Sequence, residues 1–317
     1  MSAVIAITNQ KGGVGKTTTS CALLAGLHQM GRRVLGVDLD PQGSLGFCLG
    51  LDIDNCATVY DVMKGARSIK EVVVPSECGD ILPSNILLSA AELEFNRPGR
   101  EFLLKNALAE VQDDYDYIIV DTPPALNVLT VNAYVVSDGL VIPMAPEILS
   151  LLGVAQIRET IDTVRRCYNS RLKVLGILLN KYNQRFTLNR EVLDMAGQIA
   201  AQLDTTVFEA KIRTSVSVAE APAHGESVLS YASDSGSGTS SDSGSASGSF
   251  ALEAVSSALS SSLSSASLIC RETCSSLLRA TSRMGGARGR TALTAPSAGE
   301  TFSREGTPSA VPSASGA

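Results

Sequence analysis

The sequence predicts an α/β fold, a doubly wound and mostly parallel sheet with helices on both faces, on three observations. Short apolar runs rich in β-branched residues alternate with stretches of 3.6-residue periodicity through residues 1–233. Clusters rich in Gly, Asp and Asn follow those runs, and the alternation stops where a Ser/Gly/Ala-rich segment begins near Ser233. Continuous apolar runs are what strands buried on both faces require, and strand–helix alternation joins such strands in parallel.

Taken in order, "AVIAIT" (3–8) is the first strand and "TTTSCALLAGLHQMG" (17–31) the first helix. "RVLGVD" (33–38), "YDYIIVD" (115–121), "GLVIP" (139–143) and "KVLGILLN" (173–180) are further strands, and "LLGVAQIRETIDTVRRCY" (151–168) is a helix. In open parallel sheets ligands bind beyond the carboxyl ends of the strands, so the residues just after each run carry the function. Four polar clusters stand there: "GGVGKTT" after the first strand, "LDPQGSLG" after the second, "DTPPAL" at the end of the third and "NKYNQR" after the last.

"GGVGKTT" between a strand and a helix has the logic of a phosphate loop. Gly12, Gly13, Val14 and Gly15 let backbone N–H groups turn inward towards phosphate oxygens, the helix adds its positive end, Lys16 reaches the β- and γ-phosphates, and Thr17, followed by Thr18, offers a hydroxyl to Mg²⁺. Asp121 suits the acidic group that holds Mg²⁺ directly or through water. Asp38 and Asp40 alternate along an extended chain, which puts two carboxylates on one face, Asp38 as a further metal candidate and either one as the group that orders the attacking water. "NKYN" (180–183) has Asn183 where a guanine-reading loop needs a carboxylate, so ATP is the expected nucleotide. Asn180 is an adenine-side candidate or a cap of the following loop, and Arg213 is grouped with the nucleotide-binding residues.

Composition sets the frame. The 317 residues carry a formal net charge of −6, which excludes a wholesale nucleic-acid coat and leaves a local basic patch for any DNA contact. There is no signal-peptide pattern and no apolar run of membrane-spanning length, which predicts a cytoplasmic protein without a membrane partner. The seven cysteines have no C-x-x-C spacing, so reduced thiols are expected. Residues 234–317 hold six acidic and six basic residues, so the whole charge belongs to the first 233. The expected organisation is an ATPase domain over 1–233 and a low-complexity, disordered tail over 234–317, too poor in apolar surface to offset its ordering entropy. Its Leu252, Val255, Leu259 and Leu263 fall at helical spacing among serines, which are poor helix formers.

"KGGVGKTT" with its additional Lys11, "VDLDPQGS", "YDYIIVDTPPAL", "VIPMAPEILSLLGVAQI" and "VSVAEAPAHGESVLSYA" together resemble the ParA/Soj-type partitioning ATPases, the deviant Walker A branch of the P-loop NTPases, over residues 3 to about 233. The resemblance implies an ATP-sandwich homodimer in which Lys11 reaches the partner subunit's phosphates, while Lys16 and Thr17 serve the subunit's own ATP and Mg²⁺. It matches Asp40 to the residue needed for hydrolysis, so Lys11, Lys16 and Asp40 form the catalytic set. It further implies sequence-independent binding of double-stranded DNA by the ATP dimer, nucleoid association, and release when a ParB-like protein stimulates hydrolysis. Arg185 matches a basic position used for DNA binding in Soj-like proteins, and Lys181, Arg190, Lys211 and Arg213 are candidates to join it.

The departures are specific. Ser217 stands where many relatives have an arginine before the "SEAP"-like segment, which removes a DNA contact, and Ser44 replaces an asparagine. No DNA-reading helical domain is expected ahead of the loop, since Met1 and Ser2 alone precede the first strand. The family's closing helix gives way at "SYASDS" to the tail, which is either a lineage-specific extension or the product of a shifted reading frame. A MinD-like membrane-positioning ATPase shares the loop and both lysines, but its basic amphipathic anchor has no counterpart in Leu252–Leu263. A nitrogenase-iron-protein-like redox ATPase needs cysteines near Asp121, and none occurs between Cys78 and Cys167. A non-hydrolysing nucleotide scaffold is disfavoured by the presence of Lys11, Lys16, Asp40 and Asp121 together.

Overall fold

The structure is a computed structural model that describes residues 2–183 and 187–234. Arg185 and the segment 235–317, with the Leu252–Leu263 stretch, lie outside the described residues. The chain runs β1 (Ala3–Ile7), α1 (Lys16–Gln29), β2 (Val34–Asp38), α2 (Ser44–Cys48), α3 (Val59–Lys64), α4 (Ile69–Val72), β3 (Val74–Ser76), β4 (Gly79–Leu82) and α5 (Ala91–Glu94). It continues through α6 (Leu103–Leu108), β5 (Tyr117–Asp121), α7 (Val128–Val136), β6 (Gly139–Met144), α8 (Ile148–Cys167) and β7 (Lys173–Leu179). It closes with α9 (Thr187–Gln202), α10 (Val216–Glu220) and α11 (Val228–Asp234).

The seven strands form one sheet in the order β3-β4-β2-β5-β1-β6-β7, parallel except for the β3/β4 pair. The five strands expected from sequence are present. β3 and β4 were not among them: β3 is three residues long and contains Pro75, which has no N–H for a ladder and therefore suits an edge.

Successive residues of each strand face opposite sides, and the core divides accordingly. Val4 and Ala6 of β1, Leu35 and Val37 of β2 and Ile118 and Val120 of β5 join the cluster that α3, α6, α7, α8 and α9 cover. Ile5, Ile7, Val34 and Ile119 join the cluster on the other face, under α1 and α2. Helices on both faces explain why these strands are apolar at every position rather than at every second one. Gly36 of β2 permits close approach of α1, because a Cβ there would stand 2.7 Å from Leu24 Cδ1 of α1 and 2.8 Å from Ile81 Cδ1 of β4.

Register then places the polar clusters. Ile7 and Asp38 both pair with Asp121, so the carboxyl ends of β1, β5 and β2 finish level at the middle of the sheet. The glycine loop leaves β1 there, and Asn180 follows β7 on the same edge.

Candidate nucleotide-binding site

The loop from Thr8 to Gly15 is held open by its own backbone. Gly13 and Gly15 adopt φ values of 73° and 89°, and Gly15 caps α1 in the left-handed region that favours glycine. A Cβ on Gly15 would also meet the Asn180 amide at 2.6 Å. α1 carries no acidic side chain in its first turn, which leaves its positive end uncompensated for an anion.

Lys16 begins α1 and is buried, its ammonium donating to the Lys11 carbonyl at 3.3 Å. Burial pulls its pKa down, opposed by the charges of Asp121 and Asp40. An ammonium in a partly dry pocket, under the field of two carboxylates, gains strongly from a polyphosphate.

Asp121 is fully buried at the end of β5 and accepts from Thr17 Oγ1 at 2.7 Å and from Ser20 Oγ at 2.9 Å. Burial pushes its carboxyl up to about 6, against the lowering influence of those hydroxyls and of Lys16. Ser20 was not singled out from sequence. Its signal is spacing, since it lies three residues after Thr17 and so shares its helix face.

Asp38 and Asp40 divide in a way that strand alternation did not show. Asp38 is fully buried, and its two oxygens accept from the backbone N–H of Asp40 and of Leu45, each at 2.9 Å. Burial and the neighbouring Asp121 raise its pKa well above the carboxylate range. It fastens the loop between β2 and α2, with both oxygens committed. Asp40 is half-buried and its carboxylate accepts from the Gln42 N–H at 3.0 Å, with no other partner among the described residues, so it is the carboxylate of the two that remains open to a ligand.

Lys11 turns outward. Its backbone N–H donates to Asn9 Oδ1 at 3.0 Å, and its ammonium pairs with Glu147, at the start of α8. Asn9 is buried, and its amide donates to the Pro143 carbonyl at 2.7 Å, which ties the loop to β6. Neither Asn9 nor Glu147 was read from sequence. Asn9 only follows a strand, and Glu147 is 136 residues from its partner.

Asn180 is not a cap of its own loop. Its amide donates to the Val14 carbonyl at 2.8 Å, and its buried Oδ1 accepts no hydrogen bond among the described residues. A cavity of about 280 Å³ opens beside it, lined by Gly15, Thr18, Asn180, Arg213, Ser215 and Val218 among others. The site thus gathers Gly12, Gly13, Val14, Gly15, Lys16, Thr17 and Thr18 with Asp40, Asp121, Asn180 and Arg213.

Of the basic candidates for DNA, Lys181, Arg190, Lys211 and Arg213 lie among the described residues. Lys181 has a φ of 57° and its ammonium donates to the Gly13 carbonyl at 3.0 Å, so it belongs to the loop's surroundings. The Lys211 ammonium donates to the Glu209 carbonyl at 3.2 Å and lies 5.6 Å from the centre of the Tyr182 ring. Arg190 is exposed on α9.

Comparison with known proteins shows the family. The family described as AAA domain matches residues 2–174. The chain is 39% identical over 232 residues to the chromosome partitioning protein ParA of Myxococcus xanthus, covering 72% of this chain and 81% of that protein. It is 39% identical over 237 residues to the sporulation initiation inhibitor protein Soj of Bacillus subtilis, covering 73% and 92%. A Mycobacterium smegmatis structure described as cobyrinic acid a,c-diamide synthase, with bound ATP analog and magnesium, superposes with a TM-score of 0.64 at 40% identity, covering 68% of this chain and 86% of that one. The chain belongs to the ParA/Soj family of P-loop ATPases.

Proposed function

We propose that the protein is a partition ATPase that binds ATP with Mg²⁺, dimerises on it, holds double-stranded DNA without sequence preference, and is released when a ParB-like partner stimulates hydrolysis. One observation carries the reading: Lys16, Thr17 and Asp121 converge inside the glycine loop, while Lys11, from the same loop, directs its ammonium out of it. The partition relatives and the nucleotide-bound structure support it.

The residues present fit both ligands. Thr17 Oγ1 and Asp121 form a hard oxygen pair suited to Mg²⁺, which when bound neutralises phosphate charge. The buried Asn180 Oδ1 is an acceptor in need of a donor, which an adenine amino group supplies. Lys16 then holds the β/γ-phosphates, Asp40 orients the attacking water, and Lys11 stabilises charge on the transferred phosphoryl group of the neighbouring subunit, so that hydrolysis requires a dimer. Sequence-independent DNA binding through Arg185, Arg190 and Lys211 is electrostatic and weakens steeply with salt.

The test compares the full chain with Lys11→Ala and Lys16→Ala, measuring ATP binding, ATP-dependent mass and turnover with DNA and a ParB-like protein. Lys16→Ala should lose nucleotide binding. Lys11→Ala should bind ATP yet stay monomeric, with turnover at least ~100-fold lower, the scale of removing a charge-stabilising donor. Unchanged dimerisation and turnover in Lys11→Ala would exclude the cross-subunit role.

A further inference from the structure

A groove of about 1000 Å³ lies between α7 and α8, with Gln10, the residue before Lys11, in its wall. Val128 and Val131 of α7, both half-buried, give it apolar surface. Its charged residues are three carboxylates, Glu92 of α5, Glu101 and Glu159 of α8, against one guanidinium, Arg100, whose Nε is 3.6 Å from Glu101. Glu92 and Glu159 are exposed and make no ion pair among the described residues. An apolar floor flanked by carboxylates in excess suits a segment that brings arginines and apolar side chains together.

This chain carries such a segment outside the described residues. In "LLRATSRMGGARGR" (277–290), Arg279, Arg283, Arg288 and Arg290 stand with Leu277, Leu278 and Met284, and no carboxylate occurs between Glu272 and Glu300. The whole net charge of −6 belongs to the first 233 residues, so the countercharge for these arginines lies on the body of the molecule. Reach is not limiting. The 42 residues 235–276 join Asp234 to Leu277 and begin rich in Ser and Gly. A flexible chain of that length spans ~35 Å, about twice the radius of gyration of a domain of this size. Such a tether supplies an effective concentration on the order of 1 mM, so a contact that is weak between separate molecules is largely formed within one. We propose that the arginine segment 277–290 docks in its own chain's groove between α7 and α8, pairing with Glu92, Glu101 and Glu159 and covering Val128 and Val131.

The consequence for assembly rests on the proposed ATP-dependent dimer, whereas the docking itself does not. Gln10 is in the groove wall and Lys11 follows it, with its ammonium directed outward. An occupied groove therefore crowds the side of the glycine loop from which Lys11 would reach a second subunit. The docked segment opposes dimerisation, and its release favours it.

A fluorescent peptide of residues 275–292 would be titrated, with anisotropy as the readout, into three full-length chains. These are the parent, a chain with Arg279→Gln, Arg283→Gln, Arg288→Gln and Arg290→Gln together, and that second chain with Glu92→Gln and Glu159→Gln added. The second chain, whose groove its own tail no longer fills, should bind the peptide ~10-fold more tightly than the parent, as a tether supplying ~1 mM predicts for a contact of about 0.1 mM Kd. The third should lose that binding; Glu92 and Glu159 are exposed, so their substitution spares the core. Equal binding by the parent and the second chain would overturn docking within the chain. Binding that survives in the third chain, or that a peptide of the same residues in shuffled order matches, would overturn the groove as the site. A second chain that loses affinity for duplex DNA and gains none for the peptide would assign the arginines to nucleic acid instead. In sedimentation with ATP and Mg²⁺ the second chain should dimerise at a lower protein concentration than the parent. An unchanged threshold would overturn the link to assembly, and no dimer in any chain would sink the dimer reading while the peptide titration still decides the docking.

Discussion

Lys11 and Glu147 meet at the mouth of the site with both side chains partly exposed, 26% for Lys11 and 56% for Glu147. An ion pair so open to water contributes at most ~1 kcal/mol to stability, so its use lies in where it holds the ammonium. Glu147→Gln should leave the urea midpoint almost unchanged while shifting ATP-dependent dimerisation to lower protein concentration, as read by sedimentation. Weaker dimerisation in that variant would instead make Glu147 part of the interface. Asp38 and Asp121 lie side by side in the sheet register, and burial raises both carboxyls, Asp121 to about 6. An unfolded aspartate titrates near ~4, so between that value and the folded one the native chain holds protons that the unfolded chain has lost. Without magnesium, stability should therefore fall as pH rises from about 4 through about 6, and the slope should be shallower in Asp121→Asn. Urea unfolding in a chelating buffer across that range checks the sign.

At the scale of elements, α1 connects the core to the chemistry. Its residues Leu23, Leu24 and Leu27 are buried against β2, β4 and β5, and its first five residues include Lys16, Thr17 and Ser20. The helix can sit this close because β2 has Gly36 beneath Leu24. Gly36→Val would force both Leu24 and Ile81 to move, and overpacking of this kind costs about 1–3 kcal/mol. The expected outcome is a lower denaturation midpoint together with weaker nucleotide binding, since displacing α1 displaces Lys16 from Asp121. Nucleotide affinity that stays intact while stability drops would show that the loop tolerates movement of its helix. Strands β1, β2, β5, β6 and β7 and helices α1 and α8 were legible in the sequence, the strands because burial on both faces demands unbroken apolar runs. β3 and β4 were not, because three or four residues around Pro75 carry too little pattern.

For the whole molecule, the site was legible as a set of loops and illegible as a set of contacts. Topology explains the first: a parallel sheet brings the ends of β1, β2, β5 and β7 to one edge, so the residues just past each apolar run, Gly12–Thr18, Asp40, Asp121 and Asn180, are the ones that meet. The second arises from long-range packing, which sequence spacing does not encode. The boundary near residue 233, expected from composition, is tested by limited elastase digestion of the full chain with ATP and Mg²⁺. A protected fragment ending close to Asp234 is expected, and protection extending through Leu263 would place that stretch with the folded unit.

The sequence by itself determined the α/β architecture, the phosphate loop and the candidate metal group, because local backbone demands and burial of strands on both faces leave direct marks on residue order. Only the tertiary structure decided that Asp38 fastens a loop while Asp40 stays open, that Asn180 grips the Val14 carbonyl, that Lys181 joins the loop, and that Lys11 rests on Glu147. Those outcomes depend on which donors a fold brings within ~3 Å of an acceptor, and that is set by packing between elements far apart in the chain.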